Sequence, residues 1–139
     1  MTGPGADLVA LYRATRYDAR LPGGRRATLR VDAPPPFEFR QWLAGAAFAL
    51  ITAYNPRSTA QPAHANRAAQ HRLLADLAAL GARVLPAVGR GHGWREASLV
   101  AAGLDLTSID ALAARYAQHA VLAGRGDAPV ELRCYERAS

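Results

Sequence analysis

An amide, a guanidinium and a hydroxyl stand within four residues, Asn55-Pro56-Arg57-Ser58, directly after the apolar run Ala46–Tyr54. Groups of this kind at the end of a buried element can recognise a ligand. The guanidinium pairs with carboxylates and phosphates, and the N-terminus of a following helix adds partial positive charge. A second cluster, Trp94-Arg95-Glu96-Ala97-Ser98, sets a carboxylate two residues from an indole. A carboxyl desolvated beside an aromatic ring can act as a general acid or base. Asn66 and Gln118 add two amides suited to orienting a substrate amide or a base edge. The candidate ligand-binding residues are therefore Asn55, Arg57, Ser58, Asn66, Trp94, Ser98 and Gln118, and the candidate catalytic group is Glu96. Amides outnumber acids and bases here, which favours recognition over chemistry.

Each of these residues also has a purely structural reading. Asn-Pro opens turns, and Ser58 or Thr59 is a suitable helix cap. Asn66 and Gln118 are placed to close backbone groups at helix ends. Trp94 reads as a lid over the core edge with its N–H in water. Glu96 can pair with Arg57 or Arg95, and an exposed pair stabilises little. His92, between glycines, reads as exposed.

Other chemistries lack their patterns. His64, His71, His92 and His119 are scattered without metal-ligand spacing, so no metal and no cofactor is expected. Cys134 has no base near it in sequence. The stretch "GRGHG" has glycines but lacks the Lys-Ser/Thr of a phosphate-binding loop.

The elements that must position the candidates follow from periodicity. Asp7–Tyr12 reads as a short helix, and "LPGG" as the turn of a hairpin. "FEFRQWLAG" fits a helix ending at Gly45. Ala46–Tyr54, apolar on both faces, reads as a central strand. Ala63–Leu80 is a helix with the stripe Ala69, Leu73, Leu77 and Leu80. Ala82–Gly89 and Glu96–Gly103 read as strands joined by the loop "RGHGWR". Thr107 with Asp110 resembles a capping box opening a helix near Ser108–Gln118, with Ile109, Leu112 and Tyr116 inward. "HAVLAG" and "VELRCYE" close the chain as two strands.

From Ala46 the order is strand, helix, strand, strand, helix, strand. That predicts an α+β fold with a ferredoxin-like βαββαβ core, an antiparallel sheet with helices packed on one face. The N-terminal hairpin and helix, about 1–45, form an extension to a core of about 46–136, with an extra C-terminal strand, all in a single domain of 1–139. In this topology Asn55–Ser58 with Asn66, Gly89–Ser98 and Gln118–His119 converge at one edge of the sheet. The third core strand lacks aromatics, which argues against an RNA-recognition sheet.

Composition bounds the partners. The formal charge is +6 with 17 basic residues, every one an arginine, spread without a block of five or six. Abundant Arg and Ala are what a GC-rich genome produces, so a nucleic-acid partner is open but not favoured. No apolar run is long enough to cross a bilayer, so no membrane partner is expected. The N-terminus lacks the pattern of a signal peptide, and the single Cys134 fits a reducing compartment, so the expected location is cytoplasmic. The oligomeric state has no signature.

The segments "AFALITAYNPRS", "ANRAAQHRLLADLAALG", "LPAVGRGHGWREASLVAAG" and "ARYAQHAVLAG" together resemble the DUF3293 family of uncharacterised bacterial proteins. Thr52, Asn55, Pro56, Ser58, Asn66, Trp94, Glu96, Ser98 and Gln118 match its pattern. The resemblance runs from about Ala46 to Gly124, and more loosely over the N-terminal third. Ala65 departs from it, since the family usually carries Glu there. The resemblance supports the candidate site and implies no activity. The expected function is binding of a small polar or anionic ligand, a nucleotide among the candidates. The alternatives are a hydrolase using Glu96 and an Arg-mediated nucleic-acid-binding protein.

Overall fold

The computed structural model describes residues 5–91 and 93–135, with the backbone but not the side chain of Arg57. The protein is α+β. Helix α1 spans Ala6–Ala14, and β1 (Arg16–Arg20) and β2 (Arg26–Leu29) form a hairpin. Helix α2 (Phe37–Leu43) precedes β3 (Phe48–Ile51). A 3-10 turn, Pro56–Ser58, leads to α3 (Ala63–Ala79). Strands β4 (Arg83–Gly91) and β5 (Trp94–Ala102) form a long hairpin. Helix α4 (Leu106–Arg115), β6 (Ala120–Gly124) and β7 (Glu131–Cys134) complete the chain.

All seven strands join one antiparallel sheet in the order β2-β1-β4-β5-β3-β6-β7. The N-terminal hairpin is therefore not appended to the sheet but continues it through β1 on β4. The sheet curls. Beyond β2, the Asp32 N–H donates to the Val130 carbonyl at 2.8 Å, and the Val130 N–H to the Ala33 carbonyl at 2.9 Å. These bonds join the segment after β2 to the segment before β7.

Side chains alternate across strands, and here both faces are buried. Ala49, Ile51, Leu99, Ala101 and Val121 point to one face, where α3 brings Ala69, Leu73 and Leu77, and α4 brings Ile109, Leu112, Ala113 and Tyr116. Phe48, Leu50, Val100 and Leu122 point to the other, where α2 brings Phe39 and Leu43. Tyr17, Ala19, Ala27 and Leu29 of the first hairpin complete that second core. This is why the β3 sequence has no polar alternation. Strand β7 is tied to α4 by Arg133, which donates to both oxygens of Asp110 at 2.7 Å. Arg133 holds the Asp110 carboxyl below the usual carboxylate range.

Several local expectations need correction. The central strand stops at Ile51 rather than Tyr54, because the Thr52 hydroxyl donates to the Ala97 carbonyl at 2.7 Å and a side chain replaces the ladder. The loop expected at "RGHGWR" is mostly strand, since β4 and β5 stay paired out to Gly91 and Trp94. His92 itself lies outside the described residues. Leu80 is exposed, because it falls beyond the last turn that faces the sheet. Helix α4 is capped by Asp105 rather than Thr107; its carboxylate accepts the Ser108 N–H at 2.8 Å. Neither Ser58 nor Thr59 caps α3, which starts after Pro62.

Candidate functional site

Asn55 sits where β3 has given way to the 3-10 turn, with φ at 44°. Asparagine tolerates this left-handed region better than most residues. Its conformation is set by Asn66 in the first turns of α3. The Asn55 N–H donates to Asn66 Oδ1, and Asn66 Nδ2 donates back to Asn55 Oδ1, both at 2.9 Å. Gln61 adds two bonds, its N–H to Asn55 Oδ1 at 3.3 Å and its Nε2 to Asn66 Oδ1 at 2.7 Å. Because Oδ1 of Asn55 already takes two donors, its amide orientation is fixed. Its Nδ2 then faces Glu96 and donates to Oε2 at 3.2 Å. From the third segment, Gln118 Nε2 donates to the carbonyls of Tyr54 and Tyr116, each at 3.1 Å.

The three segments of the sequence reading therefore meet in space. They do so on the wall of a cavity. Its wide part, about 290 Å³, lies between α1 and the β4–β5 hairpin. Leu11, Tyr12, Asn55, Ser58, Trp94 and Glu96 are among the residues lining it. A narrow floor of about 60 Å³ reaches toward Tyr17, Thr52 and Ser98, and Tyr12, Trp94, Glu96 and Gln118 line both parts. The floor has room for at most a few waters, whereas the wide part approaches the size of ordinary small-molecule sites.

The electrostatics follow from burial. Desolvation raises the Glu96 pKa above the usual carboxylate value, and the Asn55 amide opposes the shift only in part. Among the described residues Glu96 makes no ion pair. Burial also pushes the Tyr12 phenol up to about 12, against a hydrogen bond with Ser58 and with the Glu96 charge adding to the rise. Tyr17 moves in the same direction, again mainly by burial. Both phenols therefore stay protonated at neutral pH and can donate. The Ser98 hydroxyl is buried in a residue 5% exposed and has no partner among the described residues.

A buried carboxyl favoured in its neutral form binds its proton more tightly folded than unfolded. Stability is then lost as pH rises from the unfolded value, about 4.3, through the raised folded one. Glu96→Gln keeps an oxygen for Asn55 and removes this dependence. Its melting temperature is expected to match the wild type near pH 4 and to exceed it increasingly toward pH 8. A difference that stays constant with pH contradicts this account.

Two of the three glycines of "GRGHG" have a packing role. Gly91 pairs with Trp94 across the hairpin, and a Cβ built on it would overlap the indole. A Cβ on Gly89 would meet the Tyr17 ring at 3.3 Å. These glycines make room for two of the aromatic walls.

Of the sequence candidates, Asn55, Ser58, Trp94, Glu96, Ser98 and Gln118 line the cavity. Asn66 comes to the site but spends its amide on Asn55 and Gln61. The Arg57 side chain lies outside what is described. Sequence reasoning misses Tyr12, Thr15 and Tyr17, because it places α1 and β1 in an extension outside the core. The paired glycines opposite aromatics were the one available hint. Among the described residues no three His, Cys, Asp or Glu side chains gather as metal ligands.

The spacing of these residues along the chain also agrees with a family pattern. The sequence model of DUF3293, described as a protein of unknown function, matches residues 51–121. The chain belongs to the DUF3293 family. The DUF3293 segment begins at the end of β3 and ends in β6, so it includes the Asn55–Asn66 pair, the β4–β5 hairpin and Gln118. Tyr12 and Tyr17 lie before it. The chain matches none of the curated proteins and none of the solved structures.

Proposed function

We propose that this DUF3293 protein binds a small polar ligand in the cavity between α1 and the β4–β5 hairpin. The supporting observation is the buried, unpartnered Ser98 hydroxyl in the cavity floor. A polar group left in this way costs about 1–3 kcal/mol, a cost that a ligand or water bonded there would offset. Glu96 above it accepts a ligand N–H or O–H, and Tyr12 and Trp94 flank a planar part. A nucleotide, whose base offers a planar ring and a donor edge, fits this reading. A reducing, cytoplasmic setting belongs to it too; Cys134 is an exposed free thiol.

A second reading has Glu96 transferring a proton as a hydrolytic acid or base, supported by its raised pKa. In that case Glu96→Gln keeps binding and loses turnover. We further read the inner strands with α3 and α4 as a ferredoxin-like core. The antiparallel order β4-β5-β3-β6 supports this.

The test is a thermal-shift screen at low salt with nucleotides, sugar phosphates, amino acids and nucleobases. A ligand at about 100 times its Kd adds about 2.7 kcal/mol, which is about 5–15 °C for a domain of this size. The shift is expected in wild type and is expected to be reduced in Ser98→Ala. A ligand whose shift is the same in Ser98→Ala and Glu96→Gln as in wild type places the site elsewhere.

A further inference from the structure

The curled sheet gathers arginines that are scattered in the sequence. On β1, Tyr17 and Ala19 point to the α2 side, so Arg16, Asp18 and Arg20 point to the opposite face. By the same alternation Arg26 and Thr28 of β2, Arg90 of β4 and Arg95 of β5 share that face. Strand register aligns them: Arg16 is opposite Arg90, Arg90 is opposite Arg95, and Arg20 is opposite Arg26. Arg30, just after β2, continues the alternation. Arg16, Arg20, Arg26, Arg30 and Arg95 are exposed, and Arg90 is half-buried.

Asp18 is the one acid that these strands turn to this face. It is buried, and the arginines already engage it. Arg16 Nε donates to its Oδ2 at 3.2 Å, and the Thr28 hydroxyl donates to Oδ1 at 2.8 Å. Arg90 Nε lies 3.2 Å from the same Oδ2 without an aligned hydrogen bond. The carboxylate therefore tethers two guanidinium stems at their Nε atoms, and the face keeps a large excess of positive charge. With strands about 4.8 Å apart and about 3.4 Å per residue, the arginines cover roughly 14 by 14 Å. That is comparable with the span between phosphates across a duplex groove, about 6–12 Å wide.

We propose that this face binds the phosphate backbone of double-stranded nucleic acid without reading its sequence. Besides Asp18, the residues standing between the arginines are Thr28, Pro86, Val88 and Ala97. With no aromatic ring on the face, single strands have nothing to stack on. The large exposed apolar side chains, Leu11, Phe37, Leu74, Leu80 and Leu106, are on helices or their ends and not on these strands. A membrane surface therefore finds no large exposed apolar side chain here to take up. The inference is independent of the cavity and of its ligand.

The test is fluorescence anisotropy with a labelled 20-base-pair DNA duplex, from 50 to 200 mM salt. Wild type is expected to bind, with log K falling linearly against log salt at about 0.9 per phosphate neutralised. The triple variant Arg20→Gln, Arg26→Gln, Arg95→Gln leaves the Asp18 pairs intact and removes only exposed charges. Its salt slope is expected to be smaller by about three, and Arg125→Gln, at the other end of the sheet, is expected to leave the slope unchanged. No binding at 50 mM salt overturns the proposal, and so does an unchanged slope in the triple variant. Tighter binding to a 20-nucleotide single strand, or to phosphatidylserine vesicles, would overturn the duplex assignment.

Discussion

Phe39→Ala is expected to lower the unfolding free energy by about 3–5 kcal/mol. Phe39 is fully buried, and its ring meets Phe48 edge-on at 4.9 Å between centroids. Trp42 tilts against it at 6.0 Å. It fills the core formed by α2, the first hairpin and the sheet, and alanine leaves a cavity the size of the ring. For a domain of this length the midpoint is expected to fall by roughly 10–20 °C. Urea denaturation of the two proteins measures it. A loss below about 1 kcal/mol contradicts a second core on this face. The same argument makes residues 16–43 integral to the fold, because without Tyr17, Ala19, Leu29 and Phe39 one face of β3 and β5 would be bare.

Asn55→Ala is expected to cost about 2–5 kcal/mol, from two sources. Alanine in the left-handed region is strained by about 1–2 kcal/mol. Loss of the amide also leaves Asn66 Nδ2 and Glu96 Oε2 without the partners they have now, at about 1–3 kcal/mol for a buried unsatisfied group. Asn55→Gly separates the two, because it relieves the backbone strain and keeps the polar loss. Asn66→Ala and the double variant complete a cycle. The coupling is expected at about 0.5–3 kcal/mol, the range for residues in contact. Strict additivity would mean that the reciprocal amide pair contributes nothing to the loop. The Glu96 pKa should rise further in Asn55→Ala, because the one bond that opposes its desolvation is gone.

The candidate site was legible because its chemistry is local. Asn55-Pro56 after an apolar run, and Trp94 two residues before Glu96, can be read from one short window each. Their meeting was also legible once the elements were put in order, since strand direction alone decides which loop ends share an edge. Roles within the cluster were not. Asn66 and Gln118 looked like ligand contacts, yet Asn66 holds Asn55, and the Gln118 Nε2 holds two carbonyls while the residue also lines the cavity. Amides serve backbone and ligand equally well, and only distances separate the uses.

Periodicity and residue type by themselves determined the α+β class, the helix stripes, the hairpin turn and the polar strand end. These depend on neighbours three or four residues apart. Tertiary structure alone decided that β1 pairs with β4, that the sheet curls over a second core, and that α1 brings Tyr12 to Glu96. It also decided that arginines from four strands share one face. Each of these rests on pairing between segments tens of residues apart. Strand register and sheet curvature fix such pairings, and no single segment encodes either.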